Sequence, residues 1–176
     1  MNKGMFLDRD GVINEVLSHR VKFVNKPGDF YLLDGVGEAV KVFNDMEFYV
    51  FIVTNQGGIG LGYMREENLK AIHKKMEADL AEYGALIDDI IYCPHKPHGN
   101  CPCRKPNPKM ILDLADKYAI DLTASYMAGD REPDIEAGKQ AGTKTVLLGE
   151  KDKAAADADL SFPDLLAFAD WLKKHH

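Results

Sequence analysis

The sequence predicts an α/β fold built on a doubly wound parallel sheet. Short apolar runs alternate with helical patterns from one end of the chain to the other. These runs are continuous rather than alternating polar and apolar, as expected for strands that helices cover on both faces. The chain has 176 residues, of which 45% are hydrophobic, and we see no linker or repeat. We therefore expect a single domain over residues 1–176 with a substantial core.

The first half of the chain supplies two strands and two helices. The first strand is the apolar run Gly4–Leu7, which ends at two aspartates, and the first helix is Val36–Asp45. The second strand is Tyr49–Thr54. The helix after it, Arg65–Tyr83, has the strongest pattern because its apolar residues recur at three- and four-residue spacings, and a glycine at position 84 can end it.

The second half repeats the alternation. The third strand is Ile87–Tyr92, and prolines at positions 106 and 108 place the start of the next helix, Pro108–Tyr118. The remaining elements are strands at Ser125–Ala128, Lys144–Leu148 and near Asp159–Ser161, and helices at Pro133–Ala141 and Phe162–Lys173. Strands that alternate with helices of this length indicate parallel βαβ units.

Composition excludes several classes of partner. The net charge is −6 and no basic block occurs, which argues against a nucleic-acid partner. No apolar run approaches the roughly 20 residues that span a bilayer, and no signal peptide is evident. We expect a cytoplasmic monomer that acts on a small molecule.

Polar residues follow four of the predicted strands. Asp8 and Asp10 follow the first, Thr54 closes the second, Cys93 follows the third and Asp130 the fourth. Ligands of doubly wound sheets bind in the crevice beyond the carboxyl ends of the strands. The four strand ends therefore predict one polar site.

Asp8 and Asp10 are the most informative pair in the chain. Residues i and i+2 of an extended segment project to the same side, so both carboxylates should point into one small volume. Two like charges so close favour a bound cation, and an oxygen-rich site suits Mg²⁺. A carboxylate can also attack an electrophile covalently. The alternative is a strand that runs into an Asp-Gly turn.

The other strand ends offer groups for a phosphoryl ligand. The Thr54 hydroxyl and the glycine-rich turn after it could cradle phosphoryl oxygens, although a threonine satisfied by the turn backbone is the alternative. Lys105, on a proline-stiffened turn, could neutralise a carboxylate and a phosphoryl group. Arg104 suits bidentate contact with an anion, but an Arg-Lys pair is also common on solvated surfaces.

Two aspartates near the fourth strand could complete a metal site. Asp130 would extend a magnesium shell from a second strand. Asp134 could support the metal or Lys105, or it could be a carboxylate that favours a helix start.

All three cysteines lie in an eleven-residue segment. Cys93, His95, Cys101 and Cys103 form the pattern C-x-H-x₅-C-x-C, a complete ligand set for structural zinc. An odd number of cysteines argues against a closed disulfide framework. His98 could replace His95, but the spacing of Cys93 and His95 mirrors that of the other pair. We expect a closed Zn²⁺ site that holds the loop in front of residues 104–105.

Together these motifs resemble the haloacid dehalogenase (HAD) superfamily of phosphohydrolases. The resemblance rests on Asp-x-Asp-Gly at 8–11, Thr54, Lys105 and Gly-Asp-x₃-Asp at 129–134, and it covers nearly the whole chain. It implies a Rossmann-like, HAD-like sheet without a cap domain. It also implies an enzyme, since none of these positions is broken as in an inactive scaffold.

The resemblance implies a role for each site residue. Asp8 would be the nucleophile. Asp10 would be the acid and then the base, which is sound chemistry if its pKa is raised beside the metal-bound Asp8. Mg²⁺ would be held by Asp8, Asp130 and the backbone carbonyl of Asp10. Phosphoryl oxygens would be stabilised by Thr54 and Lys105, the substrate recognised by Asn55, Gln56, Gly57 and Arg104, and the site supported by Arg131 and Asp134.

The zinc loop, residues 93–103, narrows the resemblance to one subfamily. It is similar to the loop of a HAD subfamily that includes sugar-bisphosphate phosphatases and histidinol-phosphatase domains. A phosphorylated sugar is therefore the expected substrate, and histidinol phosphate is the alternative. The segment Glu15–Lys26 is longer than expected, and the zinc loop is short. Both border the expected substrate mouth.

Overall fold

The structure, a computed structural model, describes residues 1–149 and 157–176. The strands are β1 (Lys3–Leu7), β2 (Phe48–Asn55), β3 (Asp89–Cys93), β4 (Tyr126–Gly129), β5 (Lys144–Leu148) and β6 (Leu160–Phe162). The helices are α1 (Val36–Asp45), α2 (Glu66–Ala81), α3 (Lys109–Tyr118), α4 (Glu132–Ala141) and α5 (Leu165–His175). Short 3₁₀ turns lie at Pro27–Asp29 and Leu122–Ala124.

The described strands form one parallel sheet of six, in the order β3-β2-β1-β4-β5-β6. The chain runs outward from β1 to β3, returns to β4 on the other side of β1, and runs outward again. The direction of winding therefore reverses between β1 and β4, where Leu7 is paired with Ala128. Such a reversal opens a crevice at the carboxyl ends of the strands. The predicted α/β class is confirmed.

Helices cover both faces of the sheet, which explains the continuous apolar runs. Met5, Phe6 and Leu7 are fully buried, yet Met5 and Leu7 belong to one hydrophobic cluster and Phe6 to another. Successive side chains of a strand point to opposite faces, so β1 contributes to both cores at once. Burial of one large apolar side chain stabilises a fold by about 1.5–3 kcal/mol.

Most predicted boundaries agree with the structure to within one or two residues, and the last helix differs most. Phe162 was expected to begin it but lies in β6, and α5 starts at Leu165. The reason is the carboxylate of Asp164, which accepts a hydrogen bond from the Ala167 N–H at 2.8 Å and caps the helix there. The third strand begins at Asp89 rather than Ile87, because its pairing with β2 begins there.

None of the helices in the described parts of the chain is both long and apolar enough to cross a membrane.

Candidate active site

A cleft of about 730 Å³ lies at the carboxyl ends of the strands. Its polar lining includes Asp8, Asp10, Asn55, Gln56, Gly57, Arg104, Lys105, Asp130, Arg131 and Asp134. Nearly all of the predicted catalytic, substrate and supporting residues therefore lie around one cavity. Thr54 lies beneath it and is 1% exposed.

Lys105 lies at the base of this cleft. Its Nζ donates to Asp8 Oδ1 at 2.9 Å, to Asp134 Oδ1 at 2.6 Å and to the Val53 carbonyl at 2.9 Å. A lysine has three donors, and all three are used. Burial lowers the pKa of Lys105, but the two carboxylates outweigh it and the pKa is raised. Lys105 therefore neutralises buried carboxylates, and the alternative of a solvated surface pair does not form at this position.

Three carboxylates share the volume above Lys105. Ligand atoms of Asp8, Asp130 and Asp134 lie within 4.8 Å of one another. Burial and the neighbouring Asp134 raise the pKa of Asp8 to about 7, although Lys105 opposes the rise. This all-oxygen donor set, with more negative charge than one lysine neutralises, fits Mg²⁺.

The turn after β1 requires a glycine at position 11. Gly11 has φ = 83°, and a Cβ atom there would lie 2.3 Å from Asp130 Oδ2. Only glycine combines this left-handed conformation with so close an approach. The Asp-Gly pair therefore forms a turn and also makes room for Asp130.

Asp10 has different neighbours from Asp8. Its Oδ1 accepts from Arg9 Nη2 at 2.8 Å and from Asn14 Nδ2 at 3.0 Å, while its Oδ2 accepts from Gln56 Nε2 at 3.2 Å. Burial would raise the pKa of Asp10, but Arg9 and these hydrogen bonds outweigh it and the pKa is lowered. In the metal-free protein the pKa of Asp10 is therefore low, because Arg9, the residue between the two aspartates, pairs with Asp10.

Gln56 joins Asp10 to Thr54. Its Nε2 also donates to Thr54 Oγ1 at 2.9 Å. The threonine hydroxyl accepts in this bond and so retains its own proton for a ligand oxygen. The predicted alternative, a threonine bound to the turn backbone, is not what we observe.

The side chain of Asn55 binds the backbone of Lys105. Its Oδ1 accepts from the Lys105 N–H at 3.0 Å, and its Nδ2 donates to the Lys105 carbonyl at 3.2 Å. Asn55 lines the cleft as predicted, but both ends of its amide are already engaged. The side chain of Asn55 therefore fixes the loop that carries Lys105.

Arg104 presents a donor without a partner. Its Nη1 is buried and makes no hydrogen bond within the described parts of the chain. A Cβ atom on Gly57 would lie 3.2 Å from this nitrogen, so the glycine-rich turn packs closely against the guanidinium. A buried, unpaired donor in a polar cleft fits an anionic ligand.

Asp134 is fixed by the start of α4. Its Oδ2 accepts from the Arg131 N–H at 3.2 Å, and its Cβ would lie 2.2 Å from a Cβ placed on Gly129. The backbone of Arg131 thus supports Asp134, as expected of a helix start, while the other carboxylate oxygen binds Lys105.

The four predicted zinc ligands lie together beside the cleft. Their ligand atoms are within 4.8 Å of one another, and His95 Nδ1 lies 3.3 Å from Cys93 Sγ and 3.2 Å from Cys103 Sγ. Cys93 Sγ is 3.5 Å from Cys101 Sγ. His98 is outside this group. Three sulfurs and one imidazole nitrogen are a donor set that fits tetrahedral zinc.

The sequence reasoning missed three buried polar residues. Arg9 and Asn14 are completely buried, and His73 is 6% exposed. For two of them, Arg9 and His73, the sequence holds a signal. Arg9 lies between two residues that face the cleft, so its side chain must leave on the covered side of the strand end. His73 follows Leu69 by four residues and shares the buried face of α2.

Comparisons with known proteins agree with this site. A HAD-hydrolase-like family model matches residues 102–168. The chain is 40% identical over 144 residues to D-glycero-beta-D-manno-heptose-1,7-bisphosphate 7-phosphatase of Rhodopseudomonas palustris, covering 78% of each chain. It is also 40% identical over 153 residues to the D-glycero-alpha-D-manno enzyme of Photorhabdus laumondii, covering 83% of this chain and 81% of that one.

A solved structure of a heptose bisphosphate phosphatase is also similar to this chain. D,D-heptose 1,7-bisphosphate phosphatase from B. bronchiseptica, complexed with magnesium and phosphate, superposes with a TM-score of 0.89 at 35% identity, covering 99% of both chains. The chain therefore belongs to the HAD-like phosphatases and, within them, to the family of D-glycero-D-manno-heptose-1,7-bisphosphate 7-phosphatases.

Proposed function

We propose that this protein removes the 7-phosphate of D-glycero-D-manno-heptose 1,7-bisphosphate, with Mg²⁺ as cofactor and an aspartyl-phosphate on Asp8 as intermediate. The observation that carries the proposal is the buried Lys105 that joins Asp8 to Asp134 beneath the cleft. The names of the relatives support the sugar bisphosphate, and the bound magnesium and phosphate of the B. bronchiseptica enzyme support the cofactor.

The first chemical step forms a bond between a carboxylate oxygen of Asp8 and phosphorus, while the bond from phosphorus to the sugar oxygen breaks. Lys105 holds Asp8 in place and offers positive charge to the transferring group. The Thr54 proton, left free by Gln56, can bind a phosphoryl oxygen. When held by Asp8, Asp130 and the backbone carbonyl of Asp10, Mg²⁺ keeps Asp8 ionised and polarises the phosphoryl group.

Asp10 donates the proton of the first step and accepts the proton of the second. As a carboxylic acid it gives a proton to the departing sugar oxygen. The resulting carboxylate then takes a proton from the water that attacks phosphorus and breaks the bond to Asp8.

Zinc would hold the loop that faces the substrate. Cys93, His95, Cys101 and Cys103 fill all four positions, so this metal has no open site for chemistry. The loop is joined to the glycine-rich turn because the Gln56 N–H donates to the Cys93 carbonyl and the Gly60 N–H to the Pro94 carbonyl. A structural zinc therefore supports Gln56 as well as Arg104.

Arg104 is the proposed specificity residue. Its buried, unpaired Nη1 suits the second anion of a bisphosphate. The proposal covers both the beta and the alpha anomer of the heptose, since relatives at 40% identity are named for each. We also propose that residues 1–176 form one domain that acts as a cytoplasmic monomer without a nucleic-acid partner.

Phosphate release from the heptose bisphosphate, from histidinol phosphate and from p-nitrophenyl phosphate tests the proposal. Asp8→Asn should abolish turnover with and without added Mg²⁺ while the melting curve stays cooperative. Arg104→Ala should lower kcat/KM for the bisphosphate by about ten- to a hundredfold, the worth of one charged hydrogen bond, and change p-nitrophenyl phosphate far less. A preference for histidinol phosphate, or activity in Asp8→Asn, would contradict the proposal.

A further inference from the structure

Arg9 is a fully buried cation within the Asp8-Arg9-Asp10 segment. A buried charge is costly unless its donors are satisfied. Its Nη2 donates to Asp10 Oδ1 at 2.8 Å, its Nε to Asn14 Oδ1 at 3.2 Å, and its Nη1 to His73 Nε2 at 3.2 Å. The three nitrogens thus reach three different residues, and one of these is the proposed acid and base.

The two oxygens of Asp10 are not equivalent. Oδ1 accepts from both Arg9 and Asn14, while Oδ2 accepts only from Gln56 among the described residues. A carboxylate oxygen accepts about two hydrogen bonds, so Oδ1 is filled and Oδ2 retains one position. Asn14 is itself oriented by Arg9, because its Oδ1 accepts from Arg9 Nε and its Nδ2 is thereby turned toward Asp10.

His73 connects Arg9 to helix α2. Arginine has donors and no acceptor, so Nε2 of His73 must be the acceptor in their bond. His73 is 6% exposed and lies on the helix face that packs in the core with Leu69 and Met76. The guanidinium is therefore held from the helix layer on one side and binds Asp10 on the other.

We propose that Arg9 is a positioning residue that fixes Asp10 so that Oδ2 exchanges the proton of the reaction, and that His73 holds Arg9 for this task. The inference rests on the proposed phosphatase function. In the first step the proton leaves Asp10 Oδ2 for the sugar oxygen as its bond to phosphorus breaks. In the second, Oδ2 takes a proton from the attacking water as the bond from phosphorus to Asp8 breaks.

A substrate with a good leaving group allows the two steps to be measured separately. p-Nitrophenolate departs as a stable anion without a proton, so phosphorylation of Asp8 by p-nitrophenyl phosphate does not need Asp10 as an acid. The attack of water on phospho-Asp8 still needs a base. In Arg9→Met, which keeps the length of the side chain without its charge and donors, we expect a rapid burst of p-nitrophenol stoichiometric with enzyme. A steady rate about a hundredfold slower should follow.

With the sugar bisphosphate, both steps need the proton, so Arg9→Met should show no burst. Its kcat should fall about a hundredfold while KM changes less than about threefold, since Arg9 makes no contact that would bind the sugar. A stoichiometric burst with p-nitrophenyl phosphate also shows that the variant is folded, because a misfolded fraction would lower the amplitude.

A pair of variants at His73 provides a matched control. His73→Gln keeps an oxygen that can accept from Arg9, and we expect its steady rate to stay within about threefold of the wild type. His73→Leu has a similar volume but no acceptor, and we expect the burst and the slow steady rate of Arg9→Met. If the two His73 variants had the same burst and the same steady rate, the role of His73 would be overturned.

The outcomes separate this inference from the proposed function. Arg9→Met with wild-type kinetics, or with burst and steady phases slowed alike, would overturn the positioning role while leaving the phosphatase assignment in place. A wild-type enzyme that forms no phospho-Asp8 would instead overturn the proposed function, and the positioning role with it.

Discussion

Replacing Lys105 by methionine tests whether this one cation balances the buried carboxylates. Lys105 is 3% exposed and donates to Asp8 and Asp134 at 2.9 and 2.6 Å. Removing one partner of a buried ion pair costs about 3–5 kcal/mol, because the other charge is left uncompensated. Here two carboxylates lose the same partner. We therefore expect the free energy of unfolding at pH 7.5 to fall by about that amount.

Lys109 provides the matched control. Its Nζ lies 2.6 Å from Asp113, the same separation as Lys105 from Asp134, but its side chain is 49% exposed. An exposed pair of this kind is worth under about 1 kcal/mol. Lys109→Met should therefore leave the free energy of unfolding almost unchanged.

Urea unfolding, followed by circular dichroism in magnesium-free buffer without chelator, measures both variants. The loss in Lys105→Met should shrink between pH 7.5 and 5. Without the lysine the pKa of Asp8 rises above its wild-type value of about 7, so Asp8 is protonated and neutral at the lower pH. Equal losses in the two variants, or a loss in Lys105→Met that grows toward pH 5, would refute the reasoning.

Three further predictions concern other parts of the molecule. Gly60→Ala should lower Tm more than Gly58→Ala, because its Cβ would lie 2.6 Å from the Lys96 backbone nitrogen, whereas the nearest atom to a Cβ on Gly58 is 3.9 Å away; an overpacked site costs about 1–3 kcal/mol. Burial and Arg9 lower the pKa of His73 to about 3, so the unfolded state binds a proton below about pH 6.5 that the native state does not. His73→Gln should therefore remove about 2 kcal/mol of the stability loss that the wild type shows between pH 7 and 5 in urea titrations. Metal analysis should find one zinc per chain, and Cys101→Ser should lose it, lower Tm and raise KM for the bisphosphate, since metal-binding free energy is folding free energy at structural sites.

The fold was predictable because the apolar runs of the inner strands β1, β2, β4 and β5 are buried on both faces. The pattern at Met5–Leu7 carries this information locally, whereas the register with β2 and β4 is observed only in the structure. Boundaries set by one side chain, such as the cap at Asp164, were harder to place. An aspartate can equally begin a helix, end a strand or sit in a turn, and periodicity does not distinguish these.

The composition of the site was predictable, but the partner of each residue was not. Strand ends place Asp8, Thr54 and Asp130 at one edge of the sheet whatever their rotamers. The bonds of Lys105 to Asp134 and of Arg9 to Asp10 depend on side-chain directions that spacing does not specify. The lowered pKa of metal-free Asp10 was not predictable for the same reason, since it depends on the side chain of Arg9, the residue between the two aspartates of the motif.

The contacts of Lys105 also bear on how the protein folds. They join segments that are 97 residues apart on one side and 29 on the other. Contacts between such distant segments form slowly, because the chain between them must first be brought into order. Helical circular dichroism will therefore return before phosphatase activity does during refolding. A chain that has its helices but not yet this lysine bridge has no cation beside Asp8, so we expect phosphatase activity only from molecules that have completed their fold.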